Sequence, residues 1–404
     1  MRPLRSTAGE VRGFVFARTF LYNSRLNLLT GIVAAATGAS LVYCALCIWA
    51  AARFRRRPPG PPPPDLPPVS ILKPLKGTDP EMYESFRSHC LQQYPAYEIL
   101  FGVGDADDPA AQLVRRLELE FPNRRIRLLL CGEKLGANGK TSALIQLARA
   151  ANYDVLLVND SDIRVAPDYL RTIATELEPP QTGLVTCLYR GVPAGTLASR
   201  LESLAISTDF VPGVLVAQGI EGGLSFAMGS TLAFRRRQLQ SIGGFEAIAD
   251  YLADDYELGR RIRDQGLKVE LSTRVVETFL PAYGFAGFFA HQLRWARTIR
   301  ASRPGGYVGL VITYTLPWAI LCLVVAGGAA WAWYLLAAAM SLRVAAALAS
   351  ALAVGDREVL RWLFLLPLRD LAAPVIWAAG LVGQKIVWRG EKFDLAGGKL
   401  KRIA

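Results

Sequence analysis

Hydrophobic and polar positions divide the chain into membrane-like ends and an alternating middle. Leu28 to Ala52 is an apolar run without a charged residue, closed by Arg53, Arg55, Arg56 and Arg57. About 20 apolar residues suffice for a helix to cross the hydrocarbon core, so residues 28–52 are predicted as a transmembrane helix. Its length and C-terminal basic stop make it a signal anchor rather than a cleavable signal peptide. A second charge-free stretch runs from Pro304 to Leu342 and holds most of two helices, with a turn near Gly327 and Gly328. The second would reach about Val354 and carry Arg343 into the membrane, where an isolated charge is costly and must face its own bundle or snorkel. Leu371 to Trp388 is a weaker candidate, so residues 304–388 are expected to hold two to three spans.

Between these ends the pattern changes. Apolar runs of strand character at Val69–Leu72, Ile99–Val103, Ile126–Leu130 and Val155–Val158 alternate with helical patterns at Pro80–Gln92, Pro109–Phe121 and Thr141–Ala151. Such βαβ repetition predicts an α/β domain with a mostly parallel, Rossmann-like sheet. Further on come a strand at Leu184–Leu188, a long helix at Leu197–Val211, then Ser230–Phe234, Asp255–Gln265 and Val269–Leu271. Phe279 to Ile299 is amphipathic and aromatic-rich, the pattern of an interfacial segment. The expected organisation is a basic arm (1–27), a span (28–52), a basic, proline-rich linker (53–66), a catalytic domain (67–278), an interfacial segment (279–303), a membrane region (304–388) and a basic tail (389–404).

Composition supports a membrane enzyme or a transporter: 404 residues, 52% of them hydrophobic, with a mean hydropathy of +0.25. The net charge of +12 is carried beside spans and within the α/β pattern, with no nucleic-acid motif, and points to the membrane surface. Cys44, Cys47, Cys90, Cys131, Cys187 and Cys322 are scattered without metal spacing, so neither a disulfide framework nor a zinc site is implied, and reduced thiols fit a cytosolic domain.

Ligands of such sheets bind beyond the carboxyl ends of strands, so Asp105 to Asp108 and Asp160 to Asp162, which follow strands, should share one edge. Asp160 and Asp162, two residues apart, can share a hard cation such as Mg²⁺ or Mn²⁺ that neutralises a diphosphate; equally, Asn159-Asp160-Ser161 can be a turn or a helix cap. Asp254 and Asp255 precede a helix, where a carboxylate is either a capping group or a general base that deprotonates an acceptor hydroxyl. In His291-Gln292-Leu293-Arg294-Trp295, Arg294 offers a planar fork to a diphosphate and Trp295 a stacking face, or both are an interfacial anchor. Lys140, after Gly139, either reaches a phosphate or sits on an exposed helix face; Gly243 and Gly244 read as a structural turn and His89 as a core residue.

In this order, Ser70-Ile71-Leu72-Lys73-Pro74-Leu75-Lys76-Gly77, Asp105-Ala106-Asp107-Asp108-Pro109, Gly136-Ala137-Asn138-Gly139-Lys140, Asp160-Ser161-Asp162-Ile163-Arg164-Val165, Leu252-Ala253-Asp254-Asp255-Tyr256 and Arg294-Trp295 resemble the inverting GT-A glycosyltransferases. Within these they resemble the ceramide glucosyltransferases and the bacterial hopanoid-associated glycosyltransferases, over roughly Val69 to Tyr307 and the flanking spans. The resemblance implies that Asp105, Asp107 and Asp108 hold the nucleoside of a UDP-sugar, with Lys73 and Lys140 also on the donor side. Asp160 and Asp162 would hold a divalent cation and the diphosphate, Asp255 beside Asp254 would be the base, and Arg294 would grip the leaving group. Gly229, Ser230, His291 and Trp295 would face a membrane-lipid acceptor. His291 departs from the Gln or Arg usual at its place, which puts the role of that position in doubt.

The resemblance also implies a multi-pass protein, of a bacterial inner membrane, with its catalytic domain in the cytoplasm and a lean towards N-acetylglucosamine on a hopanoid. A processive polysaccharide synthase shares the acidic set but usually surrounds it with more helices; a non-catalytic transporter tends to show paired repeats, which this chain lacks. Three spans after the domain would put Lys385, Arg389, Lys392, Lys399, Lys401 and Arg402 on the far side, against the positive-inside rule, unless the chain re-enters near Pro367 to Asp370.

Overall fold

The computed structural model describes residues 8–58, 60 and 65–403, with side chains described from Asn27 onward. The side chains of the N-terminal arm, as well as Pro59 and residues 61–64 of the linker, lie outside the described residues.

Eight strands form one sheet: Val69–Leu75 (β1), Tyr97–Val103 (β2), Arg125–Leu130 (β3), Val155–Val158 (β4), Ile163–Arg164 (β5), Thr182–Val192 (β6), Leu232–Arg235 (β7) and Lys268–Phe279 (β8). Their order is β3-β2-β1-β4-β7-β6-β8-β5. β1 to β4 run parallel, β7 is antiparallel to β4 and β6, and β6 is parallel to β8. This is a mixed, mostly parallel sheet, as the βαβ pattern predicts.

The strands read as unbroken apolar runs because both faces are covered. Ile71, Ile99 and Leu157 pack into one core beneath helices Met82–Cys90 and Tyr169–Leu177. Leu72, Leu100 and Leu156 point into the other, with helix Gly139–Ala150. β1 pairs with β4 only as far as Leu72 and Val158, so Pro74, opposite Gly102 of β2, lies where β1 has a single ladder partner. Leu75 lies opposite Val103, which brings the loops after β1, β2 and β4 to one sheet edge.

The membrane helices grow out of the second core. The helix Ala8–Arg55 absorbs part of the predicted arm, and its Cys44, Cys47, Ala51 and Phe54 join the same cluster as Val211, Val214 and Leu215. Among the described residues four helices are long and apolar enough to cross a membrane: Asn27–Arg55, Leu197–Glu221, Ala330–Ala353 and Leu363–Gly380. A further pair, Pro304–Thr313 and Thr315–Val325, is bent by 58°. Gly327 and Gly328 make the predicted turn with left-handed backbones. Arg343 faces the bundle as expected: its guanidinium donates to Asp370 (2.8 and 3.0 Å), Asp209 (2.6 Å) and the Thr208 carbonyl (3.1 Å).

Three expectations are corrected. The strand β8 continues to Phe279 and the following helix is Phe285–Ser302, so the interfacial segment starts later than residue 279. The candidate span Leu371 to Trp388 ends at Gly380, where the chain leaves the helix Leu366–Gly380. The basic tail is not a tail: Lys385–Trp388 (β9), Glu391–Ala396 (β10) and Lys399–Arg402 (β11) form a separate antiparallel sheet. That sheet rests on the catalytic domain, with Leu400 N–H donating to the Asp250 carbonyl (2.7 Å) and Leu252 N–H to Gly398 (3.1 Å). The C-terminal sheet therefore packs on the catalytic domain, and the chain between Ser302 and Lys385 returns to it.

Candidate active site

Asp160 follows β4, and three buried groups fix its loop. Asn159 donates to the Ser230 carbonyl (2.7 Å) and to the Tyr169 hydroxyl (3.0 Å), tying the end of β4 to the loop before β7. His89, buried as expected, places Nε2 3.2 Å from Asn159 Oδ1. Lys73 is fully buried and donates to the Asp160 carbonyl at 3.0 Å. Burial lowers its pKa to about 7. This placement corrects the expectation for Lys73: it supports the Asp160 backbone and does not line the cleft.

The two acidic clusters meet. Lys140, at the start of helix Gly139–Ala150, stands 2.8 Å from Asp160 Oδ1 and 3.3 Å from Asp254 Oδ2. Burial alone would depress its ammonium, but the charges of Asp160, Asp254 and Asp255 hold it above the ordinary lysine value. Asp254 and Asp255 open the helix Asp254–Asp264, where the dipole favours carboxylates. Asp254 is buried and committed to Lys140. Asp255 accepts from the Gly229 N–H at 2.7 Å through Oδ2. Burial, then the charge of Asp254, pushes the Asp255 carboxyl up to about 6. A Cβ at Gly229 would lie 2.9 Å from Asp160 Oδ2 and 3.4 Å from both Asp255 Oδ2 and Lys140 Nζ, so three polar groups converge on one bare backbone position. Ser230, by contrast, turns its hydroxyl inward to the Cys187 carbonyl (2.8 Å) and is buried, which removes it from the acceptor side.

Asp162 accepts from Thr278 at the end of β8. Burial, then the charge of Asp160, raises its carboxyl to about 6. Among the described residues no group of three or more His, Cys, Asp or Glu converges to hold a metal. Two hard carboxylates at a strand end nevertheless fit Mg²⁺ or Mn²⁺, which ordinarily take one or two carboxylates and complete their shell with phosphate oxygens and water.

At the neighbouring loop, Asp108 is the cap of helix Pro109–Glu120 and accepts from Ala110 N–H (2.9 Å) and Gly77 N–H (2.9 Å). Asp105 accepts from the Asp107 N–H at 3.0 Å, and both aspartates are exposed at the sheet edge.

On the other side an aromatic wall joins the sheet to the membrane-proximal helix. Tyr189 and Phe210 rings lie 4.9 Å apart, Phe210 and Trp295 6.1 Å, and Trp295 and His291 5.6 Å. His291 Nδ1 stands 2.8 Å from Glu202, a buried carboxylate that sequence reasoning missed. Burial pulls Arg294 below the ordinary arginine value, opposed by the charges of Glu202 and Asp160. Among the described residues its guanidinium has no ion-pair partner within 4.0 Å.

Asp79 and Arg389 were also missed. Asp79 accepts from Ser161 at 2.5 Å, and Arg389 forks onto Asp79 at 3.0 and 3.1 Å. The signal for the C-terminal sheet was present: Ile386, Phe393, Leu395 and Leu400 alternate with charged residues and bury against Leu252.

A family model described as glycosyl transferase family 21 matches residues 32–401. The chain belongs to this family. It is 27% identical over 352 residues to ceramide glucosyltransferase 1 of Caenorhabditis elegans, covering 84% of this chain and 74% of that protein. Ceramide glucosyltransferase 3 of the same organism is 26% identical over 350 residues, covering 82% and 74%. Among solved structures, a mannosyltransferase from Pyrobaculum calidifontis in complex with GDP-Man and Mn²⁺ shares the fold, with a TM-score of 0.53, 22% identity and coverage of 87% of this chain and 96% of that one. The family-21 match reaches into the C-terminal sheet, so that sheet belongs to the matched domain. The chain is thus a glycosyltransferase.

Proposed function

We propose that this family-21 glycosyltransferase transfers a single sugar from a UDP-sugar to a hydroxyl of a membrane lipid, ceramide-like or hopanoid, with inversion. The observation that carries the reading is the convergence of Asp160, Asp255 and Lys140 on Gly229, beside an aromatic wall that leads to the membrane helices.

In this reading Asp255 is the general base. Its raised pKa suits it to take a proton near neutral pH, and its bond to Gly229 N–H aims it. The lipid oxygen attacks the anomeric carbon, its proton passes to Asp255, and the bond to the diphosphate breaks with its electron pair on the leaving group. Arg294 offers the diphosphate a planar donor fork. Asp160 and Asp162 would hold Mg²⁺ or Mn²⁺, which supplies charge neutralisation for the diphosphate. The Mn²⁺ in the complex of the Pyrobaculum neighbour supports the use of a divalent cation. Asp105 and Asp107 present exposed carboxylates to the nucleoside, with Asp108 shaping their loop. In this reading Trp295 and His291, on the membrane-proximal helix, face the acceptor headgroup, so the lipid need not leave the bilayer. On the same reading the catalytic domain is cytoplasmic, where nucleotide-sugars are made.

The test is direct. The full chain in lipid nanodiscs is given labelled UDP-sugars and, separately, ceramide, a hydroxylated hopanoid, a sterol and diacylglycerol, and products are read by mass spectrometry. One lipid class carrying one sugar is expected; polymer, or free sugar with no lipid product, would contradict the reading.

A further inference from the structure

The C-terminal sheet delivers a guanidinium to the acidic cluster that the reaction above does not use. The β9–β10 connection is a two-residue turn, Arg389-Gly390, between the paired residues Trp388 and Glu391. Both turn residues have left-handed backbones, φ 48° and 82°. Such turns favour Asn-Gly, and a non-glycine residue with positive φ is uncommon outside Asn, Asp and His. An arginine held there against its backbone preference is a feature that marks functional positions.

The turn is also fixed in place. β11 is tied to residues 250–252, immediately before Asp254 and Asp255, and Leu252 packs with Ile386, Phe393, Leu395 and Leu400. At the tip, the guanidinium of Arg389 meets both oxygens of Asp79, and Asp79 in turn accepts from Ser161, the residue between Asp160 and Asp162. Burial opposes the charge of Arg389, but Asp79, Asp160 and Asp162 together raise its pKa. The C-terminal sheet thus spans the loops of both acidic clusters, and its arginine remains 40% exposed.

We propose that Arg389 is a second guanidinium for the donor diphosphate: it leaves Asp79 for the phosphate oxygens when a nucleotide-sugar binds, opposite Arg294. This rests on the donor reading above. It makes the C-terminal sheet part of the binding site, with Asp79 as the resting partner of a side chain that is otherwise aimed at the cation-diphosphate region.

The rival is a structural latch, in which Arg389 and Asp79 only hold the sheet down. Arg389→Asn separates the two, because Asn-Gly is the preferred turn and keeps the hairpin folded. Binding of UDP and GDP, and of UMP and GMP, is measured by calorimetry on the full chain with Mn²⁺, for wild type, Arg389→Asn and Asp79→Asn. We expect Arg389→Asn to keep or raise the melting temperature, to weaken the preferred diphosphate by about 10-fold or more, and to leave its monophosphate within about twofold, as for loss of one charge-assisted contact. Asp79→Asn, which frees the arginine, is expected to retain or tighten diphosphate binding. Unchanged diphosphate affinity in Arg389→Asn, equal weakening of mono- and diphosphate, or equal loss in both variants would overturn the proposal in favour of a latch. Wild type that binds neither diphosphate would instead overturn the donor reading and this proposal with it.

Discussion

The backbone N–H of Gly229 donates to Oδ2 of Asp255 at 2.7 Å, joining the loop before β7 to the helix that carries the acidic pair. Because a Cβ at Gly229 would meet Asp160 Oδ2 at 2.9 Å, a side chain there displaces the Asp160 carboxylate and crowds Asp255 and Lys140. Gly229→Ala is therefore expected to lower kcat by about 10-fold or more, since small misplacement of reacting groups is costly. Its melting temperature should change little. Steady-state kinetics beside thermal denaturation check this; native kcat in the variant would show that the crowding is relieved elsewhere.

The raised carboxyl of Asp255 sets a pH dependence. As a base it must be ionised, so kcat/KM should rise with pH and level off above about 6. The stability term has the opposite sign. The folded protein binds this proton more tightly than the unfolded chain, whose value is near 4, so this contribution is present below about pH 4 and lost as pH rises through about 6. A pH profile of rate and of melting temperature, with Asp255→Asn as reference for the second, separates the two effects.

Lys140 neutralises Asp160 and Asp254 together. Removing it leaves Asp254 buried and unpaired, so Lys140→Met is expected to destabilise the protein by about 3 kcal/mol. The double variant Lys140→Met, Asp254→Asn should recover most of that loss. Thermal unfolding of the four proteins in the cycle measures the coupling, and additive effects would show that the pair does not interact.

Within the membrane region, Arg343 joins Asp209 and Asp370 from different helices. Asp209 keeps Arg369 as a second partner, so Arg343→Met strands chiefly the buried Asp370 and should cost about 3–5 kcal/mol, whereas replacing Arg343 and Asp370 together by apolar residues should cost much less. Detergent-solubilised unfolding tests this.

Much of the fold was legible because β1, β2 and β4 are buried on both faces and read as continuous apolar runs punctuated by helices. The acidic set was legible because Asp160 and Asp162 follow a strand and Asp254 and Asp255 precede a helix. The roles of Lys73 and Ser230 were not: family order marks them as site residues, but only packing shows that the Lys73 ammonium lies beneath Asp160 and that the Ser230 hydroxyl turns away. The C-terminal sheet was obscured for a different reason. Its charges drew attention to the bilayer, while the alternation of Ile386, Phe393, Leu395 and Leu400 acquires meaning only once Leu252 supplies the surface they cover. Glu202 was hidden in an apolar helical run, where a lone carboxylate gives no periodic signal.

The measurement closest to the central claim compares sugar transfer with nucleotide affinity in Asp255→Asn. The substitution removes the proton acceptor and hardly changes shape. Transfer to lipid is expected to fall by about 100-fold or more while UDP affinity in the presence of Mn²⁺ stays within about threefold. Transfer at a near-native rate would contradict the account, because the carboxylate that meets Gly229 would then have no part in activating the acceptor.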